Sequence, residues 1–422
     1  MRGTTLAIIV IVCLAATGAT GAQHRVVEPP GTGLDLPFRP GILTGDLLYL
    51  SGAIGNQPGT VEMVPGGLEA QARQTFANLE TVLTSAGLGW DRVVTTNVYL
   101  ADIRHFPAMN DVMRSTFPGA ARPARTTAEA DIAIPGALLE ISMIAAAPGV
   151  TVERIQPEGW ITPTSPYSWA VKAGNTLFLA GQVARNPKTG DLVLGDVHTQ
   201  MRQIFFNIES LLGAAGFKRQ DVASCRVYLP DARDFVDMNA VYRTFFHTDP
   251  PARATVRARL ANPDLKVEVE CIAVAAADGE RRVVLPEGAT AGRSPFSPGI
   301  LAGDRLYLSG MVGRGADGWG GDVAAQTRIT LERLRATLAA AGMTFRDVEN
   351  ATVYLSDIRF YQDMNRVYRE ILGEGVPARA TVGTPLMTPE ALVEIRMVAS
   401  KAPADAAREP SAEPPAEPED EE

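Results

Sequence analysis

The constraint that dominates this sequence is internal repetition. Leu48-Tyr49-Leu50-Ser51-Gly52 returns as Leu177-Phe178-Leu179-Ala180-Gly181, and again as Leu306-Tyr307-Leu308-Ser309-Gly310. Val98-Tyr99-Leu100 returns as Val227-Tyr228-Leu229 and Val353-Tyr354-Leu355. Pro123-Ala124-Arg125 returns as Pro251-Ala252-Arg253 and Pro377-Ala378-Arg379, which puts the arginines 128 and 126 residues apart. Solenoid repeats span roughly 20–50 residues, so a period this long is domain-sized. The 422-residue chain therefore reads as one domain copied three times, over residues 23–149, 150–279 and 280–402.

Each copy has the same order of patterns. A β-rich stretch comes first, 42–55 in copy one. A helix follows, with Ala72, Phe76, Leu79, Val82, Leu83 and Ala86 on one face and Gly87 as its stop. Copy two repeats this with Met201, Phe205, Ile208, Leu211, Leu212 and Ala215 before Gly216; copy three offers Asp322 as N-cap and Gly342 as stop. A strand with the Val-Tyr-Leu triplet, a shorter helix through a Met-Asn pair and two closing strands complete the unit, the last strand spanning 138–146, 266–276 and 391–400. The predicted unit is α+β, a mixed sheet backed on one face by two helices. Its uncovered face needs burial, which three sheets packed around a pseudo-threefold axis would provide within one chain. The connections 149–165 and 278–294 are long enough to pass from unit to unit.

The ends differ from the body. Residues 1–22 read as a secretory signal, with Arg2, an apolar run over 6–16 and Thr20-Gly21-Ala22 before the cut; an uncleaved anchor or a mis-called start is the alternative. The chain is thus expected to be exported, periplasmic or extracellular, with no stable membrane insertion once the signal is removed. Residues 403–422 are a Pro- and Glu-rich tail expected to be disordered. That tail holds eight acids against Arg408, so it carries −7 of the net −9. A nearly neutral body gives no electrostatic reason to expect a nucleic-acid partner. Cys225 and Cys271 read as two buried free thiols, with a pair between them as the alternative.

Three copies permit an internal comparison of polar positions. Arg125, Arg253 and Arg379 recur, as do Glu140, Glu268 and Glu394 inside the final apolar strand, always 15 residues later. This spacing fits two adjacent strands joined by a turn, which would bring each copy's Arg and Glu to one site. A guanidinium fork suits a carboxylate ligand, and a Glu among apolar residues is costly unless it is paired or holds water. Together they suit hydrolysis of a small carboxylate-bearing electrophile; a repeated structural ion pair is the equal alternative. None of His24, His105, His198 and His247 recurs, so a histidine triad or metal site repeated in each copy is excluded, and no P-loop or dinucleotide fingerprint is present. Asn110, Asn239 and Asn365 recur and are expected to bond a nearby loop; Tyr99, Tyr228 and Tyr354 are expected to be core.

At these residues the sequence resembles the RidA family of enamine/imine deaminases. Copy two carries the likeness best, in Ser165-Pro166-Tyr167-Ser168, Ala180-Gly181-Gln182, Asn186-Pro187-Lys188-Thr189-Gly190, Pro251-Ala252-Arg253 and Val267-Glu268-Val269-Glu270. The resemblance implies a chorismate-mutase-like fold, a monomeric pseudo-trimer with clefts between its units, and no metal or organic cofactor. It implies that Arg125, Arg253 and Arg379 bind the carboxylate of a 2-imino or enamino acid, with Glu140, Glu268 and Glu394 assisting water. The products would be a 2-keto acid and ammonia. Around them it places Ser51 and Ser309, the glycines Gly52, Gly181 and Gly310, and an aromatic that is Tyr167 in copy two but Phe38 and Phe296 elsewhere. Copy two has Ala180 in place of the serine, and Thr127, Thr255 and Thr381 stand where the family often has Cys. The sites are therefore expected to be unequal, with Tyr167 combining with Ser51 or Ser309 if the clefts form between neighbours. A non-catalytic small-carboxylate-binding or protein-interaction module is the competing expectation. Ribonuclease activity, which attaches to the family historically, is disfavoured by the neutral body and the export signal.

Overall fold

The strongest helix pattern in each copy becomes its longest helix. In a computed structural model that describes residues 24–30, 36–275, 281–289 and 294–401, six α-helices are formed. They are α1 (Gly67–Ser85), α2 (Phe106–Thr116), α3 (Val197–Ala214), α4 (Phe235–Phe245), α5 (Val323–Ala340) and α6 (Tyr361–Leu372). The Asp322 carboxylate accepts the Ala325 N–H at 2.7 Å and so caps α5. Gly87 and Gly216 end α1 and α3 at φ of 74° and 79°, a left-handed turn that a residue with a Cβ disfavours. The expected signal, the acidic tail and Cys13 lie outside the described residues.

The three sheets share one strand order. In the first unit it runs Arg25–Val27, Gly41–Thr44, Leu47–Ala53, Leu139–Ala146, Val93–Leu100, Ala124–Glu129. All neighbours are antiparallel except the last two, whose parallel pairing requires the crossover that α2 provides. The second and third sheets repeat this order and receive their outer strands, Val152–Ile155 and Arg281–Val284, from the connections between units. Asp131–Ile132 of the first unit adds to the sheet of the third, with Ile132 opposite Val382.

This topology corrects the expectation that the Arg and Glu of one copy lie on adjacent strands. Val93–Leu100 runs between them, with Arg125 opposite Thr96 on one side and Glu140 opposite Tyr99 on the other. The arginine strand takes one edge of the Val-Tyr-Leu strand, and the final strand takes the other, where it is hydrogen-bonded on both sides, to Val93–Leu100 and to Leu47–Ala53. The thiol expectation is also corrected: Cys225 and Cys271 are directly opposite in register, with Cα atoms 4.1 Å apart, and form a disulfide.

One face of each sheet packs on its own helices, as Phe76, Leu79 and Leu83 do against Leu48, Leu50 and Ile141. The opposite faces pack on one another. Tyr49, Phe178 and Tyr307 share one apolar cluster, and Tyr99, Tyr228 and Tyr354 share a second. The shared clusters draw on all three units, so the chain is an α+β pseudo-trimer closed on itself. Among the described residues no helix is long and apolar enough to cross a membrane.

Candidate active site

The strand starts at each Pro-Ala-Arg meet the opening of a neighbouring unit. Ser168 N–H donates to Pro123 O, Ser297 N–H to Pro251 O and Arg39 N–H to Pro377 O, at 2.8, 3.3 and 3.0 Å. Each contact sets an arginine of one unit against an aromatic ring of another. Arg125 lies over Tyr167, Arg253 over Phe296 and Arg379 over Phe38, 5.6, 5.3 and 5.2 Å from the ring centres. A second ring comes from the arginine's own unit, Phe106, Tyr242 and Tyr368, at 5.1, 4.5 and 4.7 Å.

The glutamates come from the unit that supplies the aromatic. Glu140 Oε1 accepts the Thr381 N–H at 3.0 Å, so Glu140 belongs with Arg379. Glu268 accepts from the Thr127 backbone and Glu394 from the Thr255 backbone, which pairs Glu268 with Arg125 and Glu394 with Arg253. The clefts are thus Arg125/Glu268, Arg253/Glu394 and Arg379/Glu140, each built from two units. Among the described residues no ion pair joins any of these arginines to a glutamate, so a repeated structural salt bridge is not what the recurrence encodes.

Burial decides the protonation of these groups. Loss of hydration pushes the carboxyls of Glu140 and Glu268 up to about 8 and that of Glu394 to about 7. The backbone N–H bond and the facing arginine pull the other way in each cleft and offset only part of the rise. Arg125 is lowered by burial to about 10 and remains a cation near neutrality. Gly52, Gly181 and Gly310 lie directly under the three carboxylates, and a Cβ at any of them would overlap the glutamate. The glycines are therefore spatial requirements of the glutamates.

The structure gives Ser51 and Ser309 a different place from the one expected. Ser51 Oγ accepts the Arg379 N–H at 2.8 Å and donates to Arg39 O; Ser309 Oγ accepts the Arg253 N–H at 2.8 Å and donates to Ser297 O. They clamp the arginine backbone across the unit boundary. Tyr167 does not combine with either serine, because aromatic and serine positions come from the same unit; its cleft has Ala180 instead. Two clefts therefore hold Phe with Ser, and one holds Tyr with Ala.

Two sets of residues were undervalued in the sequence. Asn110, Asn239 and Asn365 do not serve a loop. Their Oδ1 atoms accept from Arg125, Arg253 and Arg379 at 2.6, 2.8 and 2.7 Å and aim the guanidinium groups. Thr127, Thr255 and Thr381 are buried with no partner for their hydroxyls, and Arg253 Nη1 and Arg379 Nε and Nη1 are also unpartnered. Their triple recurrence was the available signal. The Arg379 cleft encloses about 130 Å³ between a polar end of Glu140, Arg379 and Thr381 and an apolar wall that includes Ile54, Ile132 and Ile134. Buried donors without acceptors, facing a cavity, define a place for an anionic ligand. Among the described residues no group of three or more His, Cys, Asp or Glu is placed to hold a metal ion.

The family model described as Endoribonuclease L-PSP matches three times, over residues 35–147, 159–275 and 287–401. The chain belongs to the Endoribonuclease L-PSP family. A RutC family protein of Pyrococcus horikoshii is 47% identical over 121 residues, which is 29% of this chain and 96% of the relative. The 2-iminobutanoate/2-iminopropanoate deaminase of Escherichia coli is 39% identical over 112 residues, 26% of this chain and 87% of that protein. Among solved structures, Escherichia coli TdcF with bound serine is similar, with 33% identity, 29% of this chain and 98% of that chain covered, and a TM-score of 0.28. Each of these L-PSP relatives aligns with about one unit's length of this chain, and the threefold match places three such units in tandem.

Proposed function

We propose that this L-PSP protein hydrolyses 2-imino and enamino acids to 2-keto acids and ammonia in its three inter-unit clefts. The observation that carries this is the set of unpartnered guanidinium N–H groups and threonine hydroxyls beside a buried, largely protonated glutamate. The imino acid's carboxylate takes the free N–H groups of the arginine, whose other edge is held by Asn365 in the Arg379 cleft. The Glu140 carboxyl gives its proton to the imine nitrogen and makes the carbon electrophilic. Water, held by the Thr381 hydroxyl and the new carboxylate, adds to that carbon and returns a proton to Glu140. The glutamate then protonates the carbinolamine nitrogen, the C–N bond breaks, and the hydroxyl proton goes back to the carboxylate as ammonia leaves. A carboxyl near 8 suits this cycle, because it exchanges its proton readily in both directions at neutral pH. The similarity to a 2-iminobutanoate/2-iminopropanoate deaminase supports the substrate class. The Cys225–Cys271 bond supports export to an oxidising compartment.

The test is ammonia release from freshly generated 2-iminobutanoate. The expected result is a rate above buffer that is abolished when Arg125, Arg253 and Arg379 are replaced together by Met. A rate equal to buffer, or one unaffected by that replacement, overturns the proposal. Stabilisation by 2-keto acids without turnover would point to a binding module instead.

A further inference from the structure

A separate polar cluster lies on the pseudo-threefold axis, at one position of the paired Val-Tyr-Leu and closing strands. In a homotrimer that position would hold the same pair three times. Here the three copies have diverged, to Asn97 opposite Ser142, Arg226 opposite Glu270 and Thr352 opposite Arg396. The Glu270 carboxylate is fully committed. Arg226 Nη2 donates to its Oε1 at 2.6 Å and Asn97 Nδ2 to its Oε2 at 2.9 Å, while Arg226 also reaches Asn97 Oδ1. Arg396 is buried, 5% exposed, and donates to Ser224 Oγ at 3.0 Å. Among the described residues it has no acidic partner within ion-pair distance. The cluster therefore holds two guanidinium groups against one carboxylate in the interior. The nearby phenols of Tyr99 and Tyr228 have their ionisation pushed well up, by burial above all, so they supply no negative charge.

A cavity of about 30 Å³ opens among these groups, lined by Asn97, Ser142, Arg226, Thr352 and Arg396 together with Glu270. A polar cavity of this size has room for a small solvent species. A buried cation without a counter-charge is strongly disfavoured, and a single anion in contact with it relieves that cost. With Arg226 matched by Glu270, one surplus positive charge is left, which a single monovalent anion neutralises, and the guanidinium groups with the hydroxyls of Ser142 and Thr352 supply the donors a halide takes. We propose that the axial cavity is a binding site for one monovalent anion of chloride size, held by Arg396 and Arg226 and locking the three units together. The ion is structural, independent of the three clefts, and possible only because the fused copies were free to diverge at their common axis.

Bromide replaces chloride in such a site and scatters anomalously. The full chain, purified and crystallised throughout in bromide, is expected to show an anomalous peak in the axial cavity in contact with Arg396. Its melting temperature is expected to be higher in chloride or bromide than in gluconate at equal ionic strength. Arg396→Met is expected to remove both the peak and the halide dependence while keeping its fold in gluconate. A wild-type crystal with no bromide peak in the cavity, where water fills it instead, overturns the proposal even if the variant does not fold.

Discussion

Each cleft takes its arginine and its glutamate from different units, and this pairing can be tested whatever share of activity each cleft carries. Arg125→Met with Arg253→Met disables two clefts and leaves all turnover to Arg379; with equal clefts about one third of the activity remains. In that background the glutamate partnered with Arg379 is decisive. Glu140 Oε1 accepts the Thr381 N–H at 3.0 Å, two residues from Arg379, whereas Glu394 accepts from Thr255 beside Arg253. Adding Glu140→Gln is therefore expected to cut the remaining kcat by a further ~100-fold or more, the usual scale for loss of a general acid–base group. That corresponds to about 3 kcal/mol in the barrier. Adding Glu268→Gln or Glu394→Gln is expected to change it less than about twofold, since distant sites act independently. Gln keeps an acceptor for the Thr381 N–H, so melting curves should confirm that the variants fold. The assay is initial-rate ammonia release from 2-iminobutanoate. If Glu394→Gln abolishes the residual activity and Glu140→Gln spares it, the pairing is within copies and the cross-unit argument fails.

Four further outcomes follow from the same geometry. In the two-cleft-disabled background, Thr381→Val is expected to lower kcat about tenfold, roughly one hydrogen bond, with KM little changed and Thr381→Ser restoring the rate; equal rates for Val and Ser would remove the water-holding role. Gly52→Ala is expected to displace Glu140 and match the loss seen for Glu140→Gln, and wild-type kcat in this variant would refute the spatial argument. The three glutamates have folded pKa values raised to about 7–8, so their contribution to stability is complete below the unfolded value near 4.5 and is lost as pH rises through the folded values. Stability should therefore fall between pH 5 and 8, by at most about 1.4 kcal/mol per pH unit for each group, and Glu→Gln at all three should flatten that slope in denaturant titrations. Removing the disulfide with Cys225→Ser and Cys271→Ser, which are 46 residues apart, is expected to cost up to about 4 kcal/mol of unfolding free energy, and no change in denaturation midpoint would show that the bond is not formed in solution.

Much of this molecule is determined by the sequence alone. Tripled motifs establish three α+β units, helix faces such as Phe76 and Leu79 and stops such as Gly87 mark the elements, and recurrence singles out Arg125 and Glu140 with their counterparts. These are local signals, carried by periodicity and turn chemistry that act within a few residues. Which residues share a cleft was not legible, because that depends on strand order and on which unit lies beside which. Fifteen residues separate Arg125 from Glu140, yet a strand runs between them, while Arg379 and Glu140 meet across 239 positions. The same holds for Cys225 and Cys271, whose pairing depends on register, and for Asn110 of α2, whose partner Arg125 lies 15 residues on, in the strand after the helix. Chain proximity is a one-dimensional quantity. The closing of three sheets around an axis, driven by burial of their uncovered faces, decides contacts, protonation and the unpaired charge of Arg396, and only the tertiary structure contains it.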